Sequence, residues 1–411
     1  MNKKILYLSY DGITDPLGQS QILPYLKGLS QKGYFFYLVG FEKKDAYKKQ
    51  KEVIEKEIKG FGIQWIPKKY HKSPPVLSTL YDLWEMKKTA AKIVSEENIK
   101  IVHCRSYITM LVGLYLKRKF NIKLLFDMRG FWADERVDGK IWNLKNPLFN
   151  WIYNYFKKKE IEFVQESDHI ISLTYAGKEE MVSGNLFADK SVKIDANKIS
   201  VIPCATDLDL FDPEKVSERQ VNECKLKLGI TASDKTLIYL GSLGTWYLVK
   251  EMLEFYKAWK ALHPEYKFLF VTKDDMQEVH QYCVELDIKT TNILHAIANR
   301  HEVPTYLKLA DLGIFFIKPA YSKKASSAVK MGEMLAMRLP FVTNTGVGDV
   351  ELELKEIHFA QIIDLDKGIE KDILFSTNRI LNFDSILSRN KKNYSNLSAI
   401  TSYSNIYNMF E

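Results

Sequence analysis

Short apolar runs alternate with stretches of helical periodicity along most of this 411-residue chain, and few folds accommodate that alternation. Residues 4–9 (KILYLS), 35–41, 63–66, 101–104 and 123–127 read as strands bounded by turn formers. Residues 19–31 place Ile22, Leu23, Leu26 and Leu29 at helical spacing, and further helices are expected up to residue 59, over 76–97 and over 107–119. Strand, helix and strand in repeated succession imply a parallel sheet with helices on both faces. Runs at 170–173 and 199–202 complete one such set, and runs at 236–240, 268–272, 293–295 and 312–317 begin another. The expected architecture is α/β, with two doubly wound, Rossmann-like domains. A single core rarely grows beyond about 250–300 residues, which also favours two domains. The expected boundaries are 1–205, 206–385, and a helix over 386–411 that returns to the first domain.

Composition narrows the function classes. With 46% apolar and 27% charged residues the chain is globular rather than disordered or fibrous. No apolar run approaches the roughly 18 residues of a transmembrane helix, and the opening MNKKILYLSYDG is too short for a secretory segment. A cytoplasmic protein is expected. Cys104, Cys204, Cys224 and Cys283 are scattered without a C-x-x-C pair, so they read as reduced thiols and not as a metal site. The net charge is +8, and residues 43–72 hold ten lysines against four acids. No nucleic-acid motif accompanies them, which leaves an anionic membrane surface or a plain solvated face. Trp65 and Tyr70 are the candidate interfacial side chains. On the stretch 149–163, Trp151 and Tyr155 lie off the apolar stripe, where packing against a neighbouring helix is the favoured expectation.

The chemistry concentrates in residues 322–349, SKKASSAVKMGEMLAMRLPFVTNTGVGD. Ser326 and Ser327 are expected to open a helix whose free N–H groups and dipole seat an anion. Lys330 adds a positive charge suited to a diphosphate, and Glu333, three residues on, could accept both hydroxyls of a ribose. An ordinary ion pair on a solvated helix is the alternative. The pattern S-S-x-x-K-x-G-E-x-L-A-x-x-x-P-x-V-x-N-x-G-x-G-D resembles the donor segment of retaining glycosyltransferases of the GT-B fold, family 4. The Ser-Ser-x-x-Lys form is similar to a bacterial surface-polysaccharide branch. Many members carry two Glu eight positions apart; Glu333 matches the second, and Ala325 stands at the first.

The resemblance implies that the two Rossmann-like domains face a central cleft, and it implies roles elsewhere. The opening loop, residues 10–18, lacks a G-x-G-x-x-G fingerprint and resembles the family's first loop, with Gly18 on the donor side and Asp15 and Gln19 on the acceptor side. Residues 128–142, MRGFWADERVDGKIW, read as a charged loop after a strand. There Arg129 would stand where many members have a His, stabilising the departing diphosphate, while Glu135 and Asp134 would meet the acceptor. In the loop 241–247 many relatives place an Arg and a Lys. This chain has neither, leaving Ser242, Gly244 and Thr245 as a neutral phosphate nest beside Lys330.

Asp207 and Asp209 form a D-x-D in the expected interdomain crossing, where a metal role is disfavoured. The implied activity is metal-independent, retaining transfer of a hexose-type sugar from a nucleotide diphosphate sugar, UDP favoured over GDP, without a cofactor. The implied acceptor is a saccharide, carried on a lipid, in bacterial surface polysaccharide assembly at the cytoplasmic face of the membrane. A GT-B nucleotide-sugar epimerase and a non-catalytic nucleotide-sugar binding protein are the alternatives.

Overall fold

The computed structural model describes residues 3–355, 357, 360–369 and 393–410. The chain divides into two compact units, one of Met1–Ala205, Tyr321–Ser327 and Asn396–Glu411, the other of Thr206–Ala320 and Ala328–Ser395.

In the first unit the strands are β1 (Lys3–Ser9), β2 (Tyr34–Glu42), β3 (Ile63–Lys69), β4 (Ile101–Arg105), β5 (Lys123–Asp127), β6 (His169–Ser172) and β7 (Ile199–Val201). They form one sheet in the order β3-β2-β1-β4-β5-β6-β7, every pair parallel. Successive side chains point to opposite faces, so both faces need an apolar cover. Leu6, Leu8, Val102, Leu124 and Phe126 enter one core with the helices Leu77–Glu96, Ser106–Phe120 and Pro147–Glu166. Ile5, Tyr7, Ile101 and Leu125 enter the other, which the helices Leu23–Gln31, Lys44–Ile58 and Asn396–Met409 cover. The part of the expected terminal helix over 386–392 lies outside the described residues.

In the second unit the strands are β8 (Lys235–Leu240), β9 (Tyr266–Val271), β10 (Ile293–Ala296), β11 (Leu312–Ile314), β12 (Phe341–Asn344) and β13 (Ala360–Ile363). Their order is β10-β9-β8-β11-β12-β13, again all parallel. Its core is aromatic: Trp259 is fully buried and stacks on Phe255 at 5.9 Å. Two Rossmann-like units with interleaved helices are therefore the architecture. No helix among the described residues is long and apolar enough to cross a membrane.

Two local expectations are corrected. The stretch expected as a charged loop contains the helix Trp132–Asp138. Its acids Asp134 and Glu135 sit in the first turn, favoured by the helix dipole, and the Arg136 guanidinium lies 4.3 Å from the Trp132 ring. Trp151 and Tyr155, expected to pack on a neighbouring helix, instead stack on each other at 5.8 Å and stay exposed. Trp65 and Tyr70, the candidate interfacial side chains, are half-buried against Tyr47 and Tyr10.

Gly113 shows how tightly the first core closes. A Cβ there would meet Cys104 Sγ at 2.6 Å and Leu124 Cδ1 at 2.8 Å, both on strands beneath the helix. Gly113→Ala is expected to lower stability by about 1–3 kcal/mol, read as a lower urea midpoint at unchanged m-value.

Candidate functional site

Strand order reverses between β8 and β11 in the second unit, and open α/β sheets bind ligands at such a point, beyond the carboxyl ends of the strands. Two segments meet there. Residues after β8 and after β11 are pinned by an antiparallel bridge between Tyr247 and Ile317, by Leu248 N–H donating to Phe316 O at 3.1 Å, and by Lys318 N–H donating to Trp246 O at 2.8 Å. The chain then reaches the helix Val329–Ala336, so Lys330 stands in its first turn. This start corrects the expected one. Ser326 and Ser327 belong to the first unit, where Ser327 Oγ accepts from Cys204 N–H at 3.1 Å, and among the described residues no side chain caps the helix.

Lys330 and Glu333 do not form the simple surface pair. Lys330 turns to the loop after β8, its Nζ 3.7 Å from the centroid of the Tyr247 ring, and no carboxylate among the described residues lies within ion-pair distance. Gly241 makes this approach possible: its φ is +127°, and a Cβ there would stand 2.9 Å from Lys330 Nζ. The loop without cations of its own thus receives one from the helix. Ser242, Gly244 and Thr245 are exposed beside it, with Ser242 O accepting from the Tyr239 hydroxyl. Glu333 is 7% exposed and accepts from Arg300 Nη1 at 3.4 Å. Burial pushes its carboxyl above the usual range, against the pull of the Arg300 and Lys330 charges. Arg300 was missed from the sequence, since it lies in a loop 33 residues away with no motif to mark it.

The first unit has its own reversal, between β1 and β4. Arg105 ends β4, Asp127 ends β5, and Asp11 follows β1. Arg105, 2% exposed, lies 3.8 Å from Asp11 and 3.7 Å from Asp127. Arg129 lies 3.8 Å from Asp127 and donates to Cys204 Sγ at 3.3 Å. Its φ of +58° is unusual for a side chain of this size and costs on the order of 1 kcal/mol. Asp127 also accepts from the Tyr403 hydroxyl at 3.1 Å, while His103 bridges Asp127 (3.4 Å) and the Tyr407 hydroxyl (2.7 Å). Burial alone would raise the Asp127 carboxyl, but the Arg129 charge, the His103 bond and the Arg105 charge bring it down to about 2. A usable signal did exist in the sequence: IVHCR and KLLFD are apolar runs that end in a charge.

The other candidates find partners close at hand, each inside its own unit. Asp15 pairs with Lys43 at 2.8 Å, and the Gln19 amide donates to Thr14 O at 2.9 Å. Gly18 packs where a Cβ would meet Gly12 O at 2.4 Å, which explains the glycine by close approach. Glu135 pairs with Lys323 at 2.6 Å. Asp134 faces inward, accepting from Lys157 Nζ and the Tyr153 hydroxyl, each at 2.8 Å. Its charge faces a buried lysine shared with Glu160, whose carboxyl burial pushes up to about 7. Asp207 accepts from the backbone N–H of Asp209 and Leu210, while Asp209 faces solvent beside Lys215 at 3.2 Å. The two carboxylates do not converge, and no group of three metal-ligating side chains occurs among the described residues.

Residues 22–210 match the model of Glycosyltransferase Family 4. The Escherichia coli UDP-Gal:alpha-D-GlcNAc-diphosphoundecaprenol alpha-1,3-galactosyltransferase is 24% identical over 308 residues, 73% of this chain and 72% of that protein. The crystal structure of a glycosyltransferase from Rickettsia africae ESF-5 covers 100% of this chain and 98% of its own, at 16% identity and a TM-score of 0.71. Anabaena HepE, solved with UDP and glucose, covers 99% and 100% at 12% identity and a TM-score of 0.67. The lipopolysaccharide outer core galactosyltransferase WaaB covers 99% of each chain at 11% identity and a TM-score of 0.61.

Two measurements probe the site. Lys330→Ala is expected to weaken binding of a nucleoside diphosphate by about 2 kcal/mol, roughly thirtyfold in Kd by calorimetry, with little change for the nucleoside. Glu333→Ala is expected to weaken both; unchanged binding in the two variants would remove the site from this helix. The second concerns acid. A carboxyl whose pKa is depressed on folding stabilises above its unfolded value near 4 and loses that contribution as pH falls through about 2. Asp127 is therefore expected to supply roughly 2 kcal/mol at neutral pH that fades between about pH 4 and pH 2. Asp127→Asn should be less stable at pH 7 by urea unfolding and show a shallower loss over that window.

Proposed function

We propose that this chain, a glycosyltransferase of the GT-B fold whose residues 22–210 match family 4, moves a hexose-type sugar from a nucleotide diphosphate sugar to a hydroxyl of a lipid-linked saccharide, with the anomeric configuration retained. The observation that carries the donor half is Lys330, free of any carboxylate partner among the described residues, lying against the loop after β8 at the switch point of the second sheet. A diphosphate that gains charge as it departs is stabilised most by a cation already fixed beside it. Glu333, one turn further and braced by Arg300, offers the acceptor for ribose hydroxyls. Within the first unit, Arg129 is the candidate for charge stabilisation, its guanidinium held by a left-handed backbone and a buried carboxylate partner. Glu135 remains the candidate for orienting the acceptor hydroxyl, in exchange with Lys323.

UDP is the proposed nucleotide: the E. coli relative is named for UDP-Gal, and HepE was solved with UDP. The lipid-linked acceptor follows the diphosphoundecaprenol in the same relative's name, and a role in surface polysaccharide assembly follows with it. Lys330 supplies the charge that a metal would otherwise bring, so the reaction is proposed to run without one. A peripheral position on the cytoplasmic face of the membrane completes the reading, with the lysines of residues 43–72 as its first candidate contact.

The test is transfer from UDP-galactose, UDP-glucose, UDP-N-acetylglucosamine and GDP-mannose to a lipid diphosphate-linked N-acetylglucosamine, with the product linkage assigned by NMR. A product from a UDP-sugar that retains its anomeric configuration and forms equally in EDTA is expected. An inverted product would overturn the retaining mechanism, and loss in EDTA restored by Mn²⁺ would overturn metal independence. Turnover of the nucleotide sugar without acceptor would favour the epimerase instead, and tight nucleotide binding without transfer to any acceptor the non-catalytic reading.

A further inference from the structure

Two helices of the first unit carry a second apolar stripe, turned away from the core. Leu77–Glu96 buries Met86, Ala90, Ile93 and Val94. Its residues Leu77, Leu80, Tyr81 and Trp84 follow the i, i+3, i+4, i+7 spacing of another face and are 63%, 55%, 50% and 54% exposed. Pro147–Glu166 buries Phe156, Phe163 and Val164, yet Leu148, Trp151 and Tyr155 stand outward at i, i+3 and i+7. Both helices pack on the same face of the first sheet. Each stripe occupies the N-terminal turns of its helix, which in a parallel fold lie at the carboxyl edge of the strands, the edge that also carries Asp11 and Arg129. Single exposed apolar residues need no explanation, but two aromatic stripes along one edge do.

The surrounding charge selects the occupant. No acidic residue occurs from Ile141 to Lys159, where Lys145 and Lys158 are exposed. Beside the other stripe Lys72, Lys87 and Lys88 are exposed, with Lys88 Nζ 5.4 Å from the Trp84 ring. The acids on that helix turn are already engaged: Asp82 is fully buried on His71 and Tyr10, and Glu85 lies 3.6 Å from Lys68. An apolar, aromatic face ringed by lysines repels a second copy of itself and complements an anionic bilayer, where aromatic rings sit at headgroup depth and lysines reach the phosphates. We propose that the N-terminal turns of these two helices are the membrane-docking surface of the first unit, Trp84 and Trp151 entering the headgroup layer, and that the lysines of residues 43–72 are not the principal contact. The inference rests on the peripheral location put forward above and assigns it to a surface.

Sedimentation of the full chain with phosphatidylcholine vesicles containing one third phosphatidylglycerol tests it. The Trp84→Ser/Trp151→Ser variant is expected to lose about tenfold or more in partitioning while keeping wild-type transfer to a short-chain, water-soluble acceptor and an unchanged circular-dichroism melt. Lys43→Glu/Lys44→Glu/Lys48→Glu/Lys49→Glu is expected to keep most of its binding. Vesicle binding by wild type that survives the double tryptophan change, or disappears only with the lysine quartet, overturns this surface and leaves the membrane location standing. Absence of wild-type binding to anionic vesicles overturns the location itself. Self-association at micromolar concentration that the tryptophan changes abolish would assign the stripes to a second copy.

Discussion

A strand buried on both faces has only its ends left for chemistry. Both sheets of this protein are parallel throughout their described strands, so apolar side chains fill each face and polar groups collect where the strands stop. Arg105 and Asp127 are the last residues of their strands; Lys330 enters from the helix that follows the end of another. Strand order reverses at one place in each sheet, and there the flanking loops diverge to leave room for a ligand. The glycines and left-handed residues of the site, Gly241 and Arg129 among them, follow from chain that has to turn sharply out of a buried strand.

Charge inside such a frame is stable only in company. Asp127 is fully buried, and it tolerates burial because two guanidinium groups, an imidazole and a tyrosine hydroxyl surround it. The terminal helix Asn396–Met409 contributes to that shell through Tyr403 and Tyr407. Residues nearly three hundred positions away in sequence therefore hold the carboxylate that faces Arg129. Lys330 differs: its company is the face of Tyr247 and the backbone at Gly241, which leaves its charge available to a ligand.

The same economy of partners separates residues that look alike in sequence. Asp134 and Glu135 are adjacent in sequence and looked equivalent there. One turns into the buried group formed with Lys157 and Glu160, and the other meets Lys323 near the surface. Position on a short helix, one residue apart, decides between the two environments. Trp65 and Trp151 make a similar pair: both were aromatics near lysines, and packing against Tyr47 half-buries one while the other stays 63% exposed.

Periodicity alone determined the two parallel α/β units, since strand and helix repeats of 2 and 3.6 residues are local properties that survive without knowledge of any contact. The sequence also marked Lys330 and Glu333, because a basic and an acidic residue one turn apart after a buried strand form a local pattern. What only the tertiary structure decided was company. It sent Ser326 and Ser327 to the first unit, turned Lys330 to Gly241 and Tyr247, gave Glu333 its Arg300, and gathered Arg105, Asp127, Arg129 and Tyr403 into one buried group. Such pairings join residues from 2 to 276 positions apart, and whether a charge is spent or free depends on burial and distance in space, which no spacing along the chain encodes.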